Sequence, residues 1–299
     1  MSGVRIPPTP ATGITVARPP AIMACRDLRS LRMCLTYFRV LKGQAGGATC
    51  VLDFEKVTWV DPGAIALLHH LMRVYKTPDV RILLPTKATA REYVLKHLKV
   101  RSPDNTRYTV DKKPIDYPLR YVPSARELGS NLGEWAKMLE QWEGVPEEDA
   151  RGFSATMSEV LMNSFQHGAI SDPAIIAGQT FVRTGHSLLV AVDNGQGIPG
   201  SLRGSGRYGQ RGYKADHEWI AAALERGVTC KSSTTNMGYG LYILADQVRR
   251  NGGRLIICSG AGVLVVDGKN PIVAEPLDNE HYRTFPGTML ILELQAGAT

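Results

Sequence analysis

A carboxylate and a carboxamide stand one helical turn apart in the stretch Phe153-Ser154-Ala155-Thr156-Met157-Ser158-Glu159-Val160-Leu161-Met162-Asn163-Ser164-Phe165-Gln166-His167-Gly168, which reads as a helix. Glu159, Asn163 and His167 are spaced by four residues. Each such step advances the helix about 40° beyond a full turn, so the three occupy neighbouring parts of one face. Val160, Leu161 and Phe165 are left to bury the opposite side. A carboxylate and an amide stacked in this way can hold an activated water and a divalent cation beside a phosphate. Taken alone, the helix is read more simply as an amphipathic helix with a polar outer face.

Two further clusters accompany it. Ser187-Leu188-Leu189-Val190-Ala191-Val192 is a strand that runs into Asp193-Asn194-Gly195-Gln196-Gly197-Ile198-Pro199. Further on, Asn236-Met237-Gly238-Tyr239-Gly240-Leu241 opens a helix through Ile243, Leu244 and Val248, closed by Asn251-Gly252-Gly253 as a C-cap. Strand candidates cover Arg254–Ser259, Gly262–Val266 and Gly287–Leu294.

In this order the three clusters resemble the GHKL ATPase superfamily, which includes gyrase, heat-shock chaperone ATPases and histidine kinases. Glu159-x-x-x-Asn163 is similar to the first box, Asp193-x-Gly195-x-Gly197 to the second, and Gly238-x-Gly240 to the third. The run from Ser158 to Gly168 looks most like the anti-sigma-factor kinases. The resemblance spans residues 125–299 and implies a two-layer α/β sandwich, a mixed sheet with helices on one face. It also implies ATP and Mg²⁺ as cofactors. Asp193 would then accept a hydrogen bond from the adenine amine, while Gly195 and Gly197 let the backbone approach the base. Gly238, Gly240 and Leu241, at a helix N-terminus, would present N–H groups to phosphate. Asn163 would be the Mg²⁺ ligand and Glu159 the general base. Gln166 stands where histidine kinases often carry a basic residue, and His167 is read as touching phosphate or packing against a lid. The lid is expected over residues 199–236, with Arg203, Arg207, Arg211, Lys214 and Lys231 as candidates to close on a triphosphate.

Residues 26–100 form a second expected unit. Leu28, Leu31, Leu35, Phe38 and Leu41 make a helical stripe, Cys50–Phe54 and Val80–Pro85 are strand candidates, and Asp61-Pro62 starts a helix with Asp as N-cap. This alternation indicates an α/β unit with a buried sheet. The stretch Val51–Leu68 resembles the STAS domain of anti-sigma-factor antagonists. In that family the strand-to-helix turn carries a phosphorylatable serine; here Pro62 and Gly63 occupy it, so the resemblance implies no such switch. His69 and His70 are adjacent on a helix and point apart, which argues against a metal pair. Residues 1–25 read as a flexible Pro-containing tail, and 101–124, with Pro103, Pro114, Pro118 and Pro123, as a linker.

The 299 residues suffice for two compact domains, and 43% hydrophobic with 21% charged residues describes a globular chain rather than a disordered one. No apolar run approaches the roughly 18 residues of a membrane span. Five scattered cysteines without a CxxC pair suggest neither a disulfide framework nor a zinc knuckle, and the expected location is the cytoplasm. Gly195–Gly200 and Gly204–Gly209 both fit GxGxxG, but the first runs into Pro199 and glycines rather than a helix, and the second follows no strand. No GxxxxGK[ST] is present. The net charge of +7 is concentrated in residues 1–100, which hold 15 basic and 6 acidic residues. The sequence thus leads to a Mg·ATP-binding regulatory protein that hydrolyses ATP or transfers phosphate to a protein partner, with an acidic partner docking on the basic third. A non-catalytic ATP-gated binding module and a DNA-linked ATPase are the alternatives, and the assembly state, a homodimer included, stays open.

Overall fold

The computed structural model describes residues 15–44, 49–76, 80–98, 116–140, 145–167, 174–230, 238–268, 270–277 and 283–296. The chain is α/β. Its N-terminal unit begins with β1 (Thr15–Ala17) and β2 (Ile22–Met23), followed by α1 (Leu28–Phe38), β3 (Cys50–Asp53), β4 (Trp59–Val60), α2 (Pro62–Val74), β5 (Val80–Leu83) and α3 (Ala88–Leu98). β1, β3 and β5 form a parallel sheet in that order, and β2 pairs in parallel with β4. Part of the expected tail is therefore strand, because residues 15–17 and 22–23 find open edges on β3 and β4. Residues 1–14 lie outside the described residues.

The second unit comprises β6 (Asp116–Val122), α4 (Ala125–Glu140), α5 (Glu147–His167), β7 (Ala174–Phe181), β8 (His186–Asp193), α6 (Gly197–Gly204), α7 (Asp216–Ala223), α8 (Gly240–Asn251), β9 (Arg254–Gly260), β10 (Gly262–Asp267), β11 (Val273–Pro276) and β12 (Phe285–Gln295). Its seven strands run in the order β11-β10-β9-β12-β8-β7-β6, and every pairing is antiparallel rather than mixed. β6 falls inside the expected linker. Pro118 is compatible with a strand there because β6 is an edge strand, where a missing N–H costs the ladder least.

Side chains alternate strictly between two cores. On β8, Leu188, Val190 and Val192 face one side, while Leu189 and Ala191 face the other; on β12, Met289 and Ile291 oppose Leu290, Leu292 and Leu294. The second set packs against Leu128, Leu132 and Trp135 of α4, Phe153, Met157 and Leu161 of α5, and Leu244 and Val248 of α8. The first set shares a core with Leu31, Leu35 and Phe38 of α1 and Ile65, Leu68 and Leu71 of α2. Helices thus cover both faces of the sheet, not one. The cause is the sequence of the strands themselves: all eight residues of β8 are buried, as a strand apolar on both faces requires.

Helix α2 is the second cover, and it packs directly on β7 and β8. Ala64 through Leu68 are each no more than 1% exposed. Polar ties surround this contact. His69 Nδ1 lies 2.6 Å from the Tyr121 hydroxyl of β6, whereas His70 Nε2 lies 2.8 Å from the Pro286 carbonyl of β12, so the two histidines diverge as their adjacency demands. Arg26 pairs with Glu293 at 3.2 Å, and Arg32 pairs with Glu275 at 3.0 Å while donating to the carbonyls of Leu277 and Pro276.

Asp61 caps α2 as expected, with Oδ1 accepting from the Ala64 N–H at 2.8 Å. Its Oδ2 accepts from the Cys25 N–H at 2.9 Å, which joins β2 to the helix start. The carboxyl is fully buried, and desolvation pushes its pKa from 3.8 up to about 6 against the opposing pull of these N–H groups. The folded state therefore holds this proton more tightly than the unfolded chain. Its contribution to stability is complete below the unfolded value and is lost as pH rises through the folded one. Urea midpoints should accordingly decline between about pH 4 and pH 6 in the wild type, and Asp61→Asn should remove that decline. In the same assay Leu68→Ala should cost about 2–5 kcal/mol, the range for truncating a buried leucine.

Candidate functional site

Asp193, the last residue of β8, stands in register opposite Thr288 of β12. Its side chain is buried, and Oδ1 accepts from the Gly195 N–H at 2.7 Å, folding the chain back over the strand end. α6 begins two residues later at Gly197. Gly197 has φ +73°, and a Cβ there would lie 2.6 Å from Ser259 Oγ and 3.0 Å from the Gly287 carbonyl. The glycine is thus required by the neighbouring strands as well as by its left-handed backbone.

From the opposite side, α5 brings Glu159 against the start of α8. A Cβ on Gly240 would sit 3.2 Å from Glu159 Cδ and 3.3 Å from Val160 Cγ2, so a side chain there would press on both residues and the two helices approach closely. Gly238 packs in the same manner against the backbone of Gly227 and Val228. Tyr239, the N-cap residue of α8, makes no side-chain cap hydrogen bond to the helix start. Backbone N–H groups in the first turn of a helix can receive an anion.

These segments enclose a cleft of about 860 Å³, counting its open mouth. Glu159, Asp193, Gly195, Gly197, Gly238, Gly240 and Leu241 all line it. Seven of the eight residues singled out in the sequence therefore meet at one place. The eighth, Asn163, lies one turn beyond Glu159 in the backbone of α5, but its side chain, like those of Gln166 and His167, is outside the described residues.

The remaining walls were not legible from chemistry-bearing residue types. Thr288 and Leu290 come from β12, Ile198, Ser201 and Leu202 from α6, and Ala223, Val228, Thr229 and Cys230 from the end of α7 and the chain beyond it. Thr288 carried a signal, in the Gly-Thr that opens the closing strand; the apolar residues carried none.

The segment expected to be a lid is, in its described part, a small packed layer with its own core of Leu202, Trp219, Ala223 and Val228. The Tyr208 hydroxyl donates to the Thr229 carbonyl at 3.0 Å and accepts from the Thr229 N–H at 2.8 Å, pinning the cleft wall. Arg203 is paired with Asp216 at 2.6 Å, and Arg211 with Glu225 at 2.5 Å, so these two candidates are engaged within the layer. Lys231 lies outside the described residues. The first GxGxxG stretch does enter a helix, contrary to expectation, because Pro199 occupies the first turn of α6, where no N–H partner is needed. A dinucleotide fold remains excluded, since its strands must be parallel and this sheet is antiparallel.

No family model matches the chain, and none of the curated proteins matches it in sequence. Among the described residues no three His, Cys, Asp or Glu side chains cluster to hold a metal, and no helix is long and apolar enough to cross a membrane. Tyr208→Phe should cost about 1–3 kcal/mol of stability by stripping both partners from the Thr229 backbone. Calorimetry on the ligand-free protein measures that loss directly.

Proposed function

We propose that the chain is a GHKL-type regulatory protein that binds Mg·ATP in this cleft and hydrolyses it or passes its phosphoryl group to a protein partner. The observation that carries the reading is the meeting, around one cleft, of Glu159, Asp193 and the glycine-flanked start of α8, three features from segments far apart in the chain.

The residues suit the roles. Asp193 is a buried acceptor at one wall, suited to the exocyclic amine of adenine, and the apolar side chains of Ile198, Val228 and Leu290 suit the faces of a base. The N–H groups at Gly240 and Leu241 suit phosphate oxygens. A magnesium ion would take most of its ligands from phosphates and water, with Asn163 as the protein ligand, and would supply charge neutralisation. Glu159 accepts the proton of the attacking water or substrate hydroxyl as that oxygen bonds the γ-phosphorus and the bond to the β-phosphate oxygen breaks, releasing ADP.

The N-terminal unit belongs to the same reading as a STAS-like module facing the partner. It is not switched at the Asp61-Pro62-Gly63 turn, which has no hydroxyl and is buried. A Cβ on Gly63 would stand 2.8 Å from that of Cys25, so a serine would not fit without displacement.

ATP with Mg²⁺ should raise the melting temperature, and GTP should do so much less; no shift with ATP would overturn the proposal. Glu159→Ala should keep this shift and lose at least about a hundredfold in phosphate release or transfer, the usual scale for removing a general base. Asp193→Asn should weaken the ATP shift. Turnover unchanged in Glu159→Ala would remove that residue from the reaction.

A further inference from the structure

His70 is buried, and from α2 it reaches the start of β12. Its Nε2 lies 2.8 Å from the Pro286 carbonyl, and since a carbonyl only accepts, Nε2 carries the hydrogen. The ring also stacks on Phe285, with centroids 5.2 Å apart and planes inclined by 17°. One side chain thus grips two successive residues of the strand.

The grip falls where the strand is least regular. Pairing of β12 with β9 shifts register between Phe285 and Thr288, so the ladder alone does not define the path of Pro286 and Gly287. Gly287 has φ +82°, and any Cβ there would collide with the Asp193 carbonyl. Its own carbonyl accepts from Ser259 Oγ at 2.9 Å. The same Oγ accepts from the Ile198 N–H at 2.9 Å and stands 3.2 Å from Thr288 Oγ1. Thr288 and Ile198 both line the cleft, and Thr288 faces Asp193 across the sheet. A short chain of packed groups therefore connects α2 to the cleft wall: His70 to Pro286, Gly287 to Ser259, and Ser259 to Ile198.

We infer that His70 is a positioning residue of the cleft, through which the N-terminal unit fixes the Pro286–Thr288 segment and thereby sets the affinity for the bound nucleotide. The inference rests on the nucleotide reading above. It assigns His70 no contact with the ligand. The N-terminal unit becomes part of the binding apparatus, so that a partner shifting α2 would alter ligand affinity by reciprocal coupling.

The test uses the full chain and Mg·ATP in equilibrium dialysis, with amide hydrogen exchange on the nucleotide-free protein. His70→Phe keeps a ring against Phe285 and removes the donor, His70→Gln restores a donor, and Leu31→Ala is a core truncation elsewhere in the same unit. The expected result is a Kd for Mg·ATP raised about five- to tenfold in His70→Phe, with His70→Gln and Leu31→Ala within about twofold of wild type. Exchange at Gly287, Thr288 and Met289 should quicken in His70→Phe more than in Leu31→Ala. An unchanged Kd in His70→Phe, or an equal loss in Leu31→Ala, overturns the inference. Absence of ATP binding in the wild type overturns the nucleotide reading instead, and with it the claim on affinity. Exchange unaltered in His70→Phe overturns the positioning role whether or not nucleotide binds.

Discussion

A sheet with apolar side chains on both faces must be covered twice, because either face left open would set large apolar areas against water. β8 is the clearest instance, with Leu188, Val190 and Val192 turned one way and Leu189 and Ala191 the other. Helices α4, α5 and α8 satisfy one face, and α1 and α2 satisfy the other. At roughly 25 cal/mol per Å² of apolar surface removed from water, each cover is a major contributor to holding the strands in place. The cleft depends on this arrangement, since Asp193 ends β8 and Thr288 stands opposite it on β12, paired strands whose positions both covers define.

The same constraint changes the meaning of the first hundred residues. A module joined by a linker would keep its own core, whereas here Leu31, Leu35 and Phe38 share one with Ile175, Val190 and Met289. The basic surplus reads differently as well. Arg26 and Arg32 are spent on Glu293, Glu275 and nearby carbonyls of the large sheet, so part of the acidic counterpart lies within the chain. Exposed pairs of this kind add little stability. The buried side chain of Glu293 gives Arg26 a more exacting role, because without it the carboxylate would keep the neutral Gln295 amide as a donor but lose its charged partner.

Much of this was legible in the sequence, for identifiable reasons. The stripe of Leu31, Leu35 and Phe38 and the Asp61-Pro62 start are local signals, set by periodicity and by a single cap, and they fall where expected. The cleft residues were legible because carboxylates and glycines at odd spacings have few other reasons to occur. β7 was not, since Gly178 and Gln179 break its apolar run after four residues, leaving neither alternation nor the longer unbroken run that marks β8. β6 was hidden by Pro118 and its polar neighbours, which resemble a linker until an edge position explains them. The apolar walls, Leu202, Ala223 and Val228, were beyond reach because their facing depends on how α6 and α7 pack, which no local pattern encodes. The second cover was written in the near-continuous apolar runs of β8 and β12, whose requirement for burial on both faces only the assembled sheet makes concrete.

The place of β12 carries a kinetic consequence. It is inserted between β8 and β9, so it alone joins the half-sheet β6-β7-β8 to the half-sheet β9-β10-β11. While the ribosome is still adding residues 285–295, neither half has its neighbour and the floor between Asp193 and Ser259 is missing. Such long-range closure is slow, and chains waiting for it expose strand edges to one another. Assembly of the cleft thus waits for β12, whatever the other strands have already paired, and is completed when that strand slides into the middle.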